Sequence, residues 1–203
     1  ELNAEQPSIL YADKITTDQN NGIISAFGDA VIENKDGTKI KADKITYDNN
    51  NDILIATDDV VINDIEGNTY FLDTVESFDG INNLYGNNVK ARLNDGSRIV
   101  SADLKKTNNI TILEEAEYTP CKESQYLIKN CPGWKLKSKK IFQDNEKKTV
   151  YYDHARLHLF NIPIIYLPYF SHPDPSVNKR TGFLMPTIQT DNNLGEQFSL
   201  PYF

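Results

Sequence analysis

The sequence predicts an all-β fold, a solenoid of stacked antiparallel strands around an apolar interior, and three observations carry that expectation. A segment of about thirty residues returns along the first hundred positions. Within each return apolar and polar residues alternate, and turn sequences rich in Asn, Asp and Gly separate the alternating runs. The bulk properties agree with this. A chain of 203 residues can bury one ordinary domain core, with room for a short appended piece. Its hydrophobic share of 39% is interspersed with Asn, Asp, Lys and Thr, and a formal charge of -8 argues against nucleic acid as a partner. No apolar run approaches the roughly 18 residues of a membrane-spanning helix. No charged-then-apolar leader opens the chain at Glu1-Leu2-Asn3, so any export signal is expected to have been removed.

Taken in order, the first landmark is Ala12-Asp13-Lys14-Ile15-Thr16. It returns as Ala42-Asp43-Lys44-Ile45-Thr46, then more loosely as Leu72-Asp73-Thr74-Val75 and Ala102-Asp103-Leu104. A second landmark keeps step: Gly28-Asp29-Ala30-Val31-Ile32, Asp58-Asp59-Val60-Val61-Ile62, then Gly86-Asn87-Asn88-Val89. Asp36-Gly37, Glu66-Gly67 and Asp95-Gly96 close successive units, while Asn20-Asn21-Gly22 and Asn49-Asn50-Asn51-Asp52 divide units in half, as tight strand connections require.

Strand spacing is plain in Thr38-Lys39-Ile40-Lys41-Ala42, yet the alternation slips inside each unit. Ile40 and Ala42 share one parity, Ile45 and Tyr47 the other, which calls for a bulge or a corner between them. The expected product is a stack of two-strand rungs, each paired to its neighbours and open at both ends. By strand parity the inward-facing residues are Leu10, Ile15, Ile24, Ile32, Ile40, Ile45, Leu54, Val61, Leu72, Val75, Val89 and Val100. They could pack on one another as a closed core or line a trough.

A fifth, more divergent unit follows, with Ser138-Lys139-Lys140-Ile141 in the landmark position and Thr149-Val150-Tyr151-Tyr152 as the returning strand. Before it stand the only two cysteines, Cys121 and Cys131, near enough in sequence to close a small loop in an oxidising compartment, or to remain thiols in a reducing one. They are too few for a structural zinc site. From Phe160 to Phe170 prolines and aromatics crowd together, and prolines confine pairing to edges or strand ends. The reading therefore divides the chain into a repeat domain, 1–160, and a Pro/aromatic connector with further strands, 161–203.

Several of these pieces together resemble the LptD family: repeats of the kind called OstA-like, Tyr118-Thr119-Pro120-Cys121 followed by Cys131 and Trp134, and three later segments. Ile162-Pro163-Ile164-Ile165-Tyr166-Leu167-Pro168-Tyr169 resembles the family's P-x-x-Y-x-P-Y stretch. Arg180-Thr181-Gly182-Phe183-Leu184-Met185-Pro186 resembles its R-x-S-G-F-L-x-P approach to the barrel, with Thr181 where Ser is usual. Leu200-Pro201-Tyr202-Phe203 resembles the P-Y-Y/F that follows.

The resemblance implies an incomplete β-jelly-roll, or β-taco, on the periplasmic face of the outer membrane, followed by a large transmembrane barrel. After Arg180 there is room for about two barrel strands of roughly ten residues, whereas the smallest barrels need about eight, so the chain is expected to be a soluble fragment that stops as the barrel begins. In this reading the inward residues form a groove for the acyl chains of lipopolysaccharide. The periplasmic bridge protein LptA docks on the open edge before Ile9, and LptE and the outer membrane engage the missing barrel. Arg180, Gly182, Phe183, Pro186 and Pro201 belong to the start of the barrel, where the two prolines each delete a ladder donor and so weaken the seam through which lipid leaves. Cys121 pairs either with Cys131, the favoured choice, or with a cysteine in the barrel.

A free bridge protein resembling LptA or LptC would share the repeats but lack the Pro/aromatic segment and Arg180 to Pro186. A structural β-solenoid adhesin would leave the carboxy-terminal resemblance unexplained. His154 and His158 alternate with Arg156 and read as a wetted strand face rather than a metal site, and the lysines of Lys135 to Lys140 read as a solvated face. With no phosphate loop, no serine-nucleophile motif and no paired-carboxylate signature, neither enzyme activity, a cofactor nor a metal is expected.

Overall fold

Aspartate side chains set the turns, and the turns set the strands. The computed structural model describes residues 9–34, 37–78, 83–107, 109–120, 133–173, 187–191 and 195–199, and every regular element in them is a β-strand. The chain divides into two compact units, Glu1–Asn108 and Asn109–Phe203. The first holds β1 (Ile9–Tyr11), β2 (Lys14–Asp18), β3 (Ile23–Glu33), β4 (Lys39–Asp48), β5 (Ile53–Asn63), β6 (Thr69–Phe78), β7 (Asn83–Arg92) and β8 (Arg98–Thr107). Short β1 and β2 both pair with β3, and from there each strand pairs antiparallel with the next in sequence, in an order that does not return to its start.

The turns repeat in detail. Asp18 accepts hydrogen bonds from the backbone amides of Asn20 and Asn21 and from the Asn21 side chain, and Asp48 does the same with Asn50 and Asn51. Such Asx turns hold the backbone without help from the rest of the fold. The hydrogen bonds to Asn21 and Asn51 hold the Asp18 and Asp48 carboxyls below their ordinary range. Successive turns are also tied to each other, because the Asn50 side chain donates to the Asn21 carbonyl at 2.8 Å. At the opposite end Asp64 caps its turn through Glu66 and Asn68, and Asn94 reaches back to Asn68 and to the Glu66 carbonyl. Gly37, Gly67 and Gly96 sit at φ of 92°, 86° and 87°, a region costly for residues with a Cβ.

The slip in alternation is a corner. Along β4 the buried Ala42 and Ile45 are separated by two exposed residues, Asp43 and Lys44, so the inward parity changes there. Leu72 and Val75 in β6 flank Asp73-Thr74 in the same way. On β3 and β5 the corner takes one residue more, and the extra residue makes a bulge at Gly28-Asp29 and at Asp58-Asp59, all four with positive φ. In β7 a single positive-φ residue, Asn88, serves instead, and the strand is one residue shorter than β3 or β5. The repeated Ala-Asp-Lys-Ile landmark is therefore the corner itself: two apolar residues that turn inward on either side of a polar bend.

The second unit follows the same rule. It holds β9 (Ile110–Thr119), β10 (Trp134–Asp144), β11 (Thr149–Leu159) and β12 (Ile162–Pro173), antiparallel in that order, and a separate two-stranded ribbon of β13 (Thr187–Asp191) and β14 (Gly195–Ser199). Leu113 and Ala116, Ser138 and Ile141, and Tyr152 and Ala155 are buried on either side of polar corner pairs. The buried Ser138 hydroxyl lies 2.7 Å from both the Lys140 and the Asp153 carbonyls, and its single proton can be given to either. The boundary expected at 160 falls between β11 and β12, two strands joined along their length from Thr149 opposite Pro173 to Leu159 opposite Ile162, whereas the compact units divide at 108/109.

Candidate functional site: the apolar inner face

Strand registers place the inner residues of the first unit in rows that cross β3 to β8 and end on β1 or β2. One row runs Leu10, Ile32, Ile40, Ile62, Tyr70, Ala91 and Ile99. Beyond the corner a second row runs Ile15, Ala26, Ile45, Ala56, Val75, Gly86 and Leu104. The second row alternates large with small, so branched side chains on β2, β4, β6 and β8 overhang Ala or Gly on the strands between them. Gly86 marks the tightest place, since a Cβ there would run into the Leu72 side chain from across the corner. No described helix covers the inner face, so burial at both rows means that the two halves of the bent sheet cover each other.

Of the residues the sequence predicts to face inward, Ile40, Ile45, Leu54, Leu72, Val75 and Val89 are buried, and Leu10, Ile24 and Ile32 are half-buried toward the β1/β2 end. Ile15 belongs to the second row but is 49% exposed, because β2 is the last strand there and nothing described lies beyond it. Val100 and Val61 are corrections. Both lie in the outward row Tyr11, Val31, Lys41, Val61, Phe71, Lys90 and Val100, and Val100 is 45% exposed. The Asp58-Asp59 bulge moves the inward positions to Val60 and Ile62, and on β8 they are Ile99 and the buried Ser101, whose polarity hides it from a search for apolar alternation. The small members Ala26, Ala30, Ala42 and Ala56 were also missed. Counting two or three residues across each corner, rather than every second residue, finds them.

Outside the rows, Lys135 and Lys137 both reach Glu117, at 3.0 and 2.9 Å. Burial raises the Glu117 carboxyl, and the hydrogen bonds from Lys137 and Lys135 outweigh it and bring it below its ordinary value. Arg156 lies over the Tyr166 ring and His154 stacks on the same ring, so these residues are engaged with an aromatic surface. Among the described residues no group of three potential metal ligands comes together. Cys121, Cys131, Arg180, Gly182, Phe183, Pro186 and Pro201 lie outside the described residues.

The chain is 28% identical over 141 residues to the LPS-assembly protein LptD of Idiomarina loihiensis, covering 64% of this chain and 18% of that protein. It is 30% identical to the LptD proteins of Yersinia enterocolitica, over 50% of this chain, and Hahella chejuensis, over 54%; each alignment covers 12% of the relative. The chain thus spans less than a fifth of the length of the curated relatives it matches. Among solved structures it is similar to LptH of Pseudomonas aeruginosa, the LptA-homologous periplasmic component of the lipopolysaccharide transport device, at 16% identity and a TM-score of 0.31, covering 73% of this chain and 83% of that one. The family model described as OstA-like protein matches residues 4–130. Since that match takes in more than half of the residues, the chain belongs to the OstA-like protein family.

Proposed function

We propose that the chain works in lipopolysaccharide transport and outer-membrane assembly at the periplasmic face of the outer membrane, holding acyl chains against the inner face of its first unit. The observation that carries this reading is the pair of inner rows, which are apolar through nearly every strand and stay accessible at the β1/β2 end, where Ile15 and Leu10 are not fully covered and Ile24, beside the second row on β3, is half-buried. The relatives' name, LPS-assembly protein, supports it. Each Å2 of acyl surface withdrawn from water contributes roughly 25 cal/mol, so a lipid chain gains several kcal/mol from the rows without any charged contact. In the middle of the stack Ile40, Ile45 and Val75 are packed shut, so lipid enters there only if the two halves of the bent sheet part. No catalytic step belongs to this reading.

Backbone groups on the outer sides of β1 and β2 meet no described strand, and such an edge accepts a strand from another molecule. LptA is the partner this edge suits. LptE and the membrane would engage the barrel that the family carries.

Photocrosslinking tests the reading, with probes at Ile15 and Ile24, at the accessible end, and at Ile45 in the closed middle. The outward Lys44 serves as control, and the target is purified lipopolysaccharide. Crosslinks at Ile15 and Ile24 that exceed those at Lys44 are expected, with Ile45 following once lipid has entered. Equal yields at Lys44, or none at any position in folded protein, would return the inner face to a purely structural core.

A further inference from the structure

The second unit carries an aromatic depression on the face opposite its buried residues. Lys140, Asp153 and Tyr169 stand side by side across β10, β11 and β12, and two residues along each strand stand Phe142, Tyr151 and Ser171. Strand alternation puts these six on one face, away from Ile141 and Tyr152. With neighbouring strands about 4.8 Å apart and alternate residues about 7 Å apart, the grid measures roughly 10 by 7 Å. The rings form a ladder, Phe142 to Tyr151 at 5.7 Å between centroids and Tyr151 to Tyr169 at 6.2 Å. Around them lies a mainly apolar hollow of about 350 Å3 whose rim includes Lys140, Lys147 and Asp153. Tyr169 is 65% exposed, a large ring left to water at the outer strand of the unit.

Charge narrows the chemistry. The Lys147 ammonium is held by Asp144 at 3.0 Å and that of Lys140 by Glu114 at 3.4 Å, so the hollow offers hydrogen-bond donors without the uncompensated positive charge an anion would need. Asp153 supplies an acceptor, and the Ser171 hydroxyl can act as either donor or acceptor. One exposed tyrosine ring and two half-buried aromatic rings beside closely spaced donors and acceptors suit a molecule with an apolar C–H face and a rim of hydroxyls. We propose that this grid is a saccharide site that seats an uncharged pyranose ring on Tyr151 and Tyr169, with Asp153 and Lys140 taking its hydroxyls. The proposal does not rest on the acyl-chain reading of the first unit.

The test titrates maltotriose and N,N′,N″-triacetylchitotriose, both uncharged, into the 203-residue chain, followed by saturation-transfer NMR and tyrosine fluorescence. Binding of at least one trisaccharide in the millimolar range or tighter is expected, with saturation passing from the protein to the sugar's ring C–H protons and a change in tyrosine emission. Tyr169→Ala should weaken it about tenfold or more, which is about 1.4 kcal/mol. Asp153→Asn, which keeps the side-chain volume, should weaken it measurably without any change in fold. If neither trisaccharide binds, if both variants bind like the parent, or if inorganic phosphate displaces the sugar, the proposal fails. Deacylated lipopolysaccharide that competes for the bound trisaccharide assigns the site to the glycolipid's own sugars; without competition the sugar is a free glycan, and either result upholds a saccharide site.

Discussion

Gly86 and Ile45 show how much rests on single side chains. Because a methyl group at residue 86 would meet Leu72, Gly86→Ala should destabilise the first unit by about 1–3 kcal/mol in urea denaturation. Adding Leu72→Ala should recover part of that loss, since the two residues share one space and their effects are not additive. Ile45 and Ile15 occupy the same row, but Ile45 is 1% exposed and Ile15 stands at its open end. Ile45→Ala should therefore cost about 2–5 kcal/mol, and Ile15→Ala about 1 or less. Equal costs would mean that the row is uniformly covered. At this scale the sequence was legible where apolar residues alternate cleanly, as at Ile40, Ile45 and Val75. It misled at Val61, because an inserted residue in β5 shifts parity by one, and at Val100, because the inward neighbour on β8 is a serine.

The corners decide the behaviour of each strand. Asp59 has φ of 52°, where a β-branched side chain clashes with its own backbone and glycine does not. Asp59→Val should lower stability by about 1–2 kcal/mol while Asp59→Gly leaves it unchanged or raises it, as urea midpoints will show. The existence of a corner could be inferred from the sequence; its form could not, because Asp58-Asp59 and Asn88 make equivalent bends with different numbers of residues. A second prediction concerns β9 and β10, tied by Glu117 to Lys135 and Lys137. The Glu117 carboxyl is held below its ordinary 4.5, so the folded state binds its proton less readily than the unfolded chain. Its contribution is complete above that value and disappears as pH falls through the depressed one. Glu117→Gln should flatten the acid limb of the stability curve below about pH 4.5 and leave its shape near neutrality alone, in denaturation series run at fixed salt.

For the molecule as a whole, the repeat, the all-β class and the neighbour-to-neighbour pairing could be read from the sequence, because all three follow from local turn chemistry at Asp18, Asp48 and Asp64. The division at 108/109 could not, since the fifth unit keeps the same corner pattern beyond it and nothing in its alternation marks a break. If the units are independent, residues 1–108 expressed alone should keep a β-type circular dichroism spectrum and a cooperative urea transition; a molten, non-cooperative product would show that the first unit needs the second. From β3 to β8 no strand waits for a partner that is far off in the chain, and the turn at Asp48 brings β4 and β5 together within a few residues. All-β proteins fold slowly when distant segments must find one another, because loop closure costs entropy before any contact rewards it. Here hairpins can add one at a time onto whichever formed first. Refolding should therefore run faster than for Greek-key sandwiches of similar length, and a chain emerging amino terminus first can begin to zip before its later strands exist.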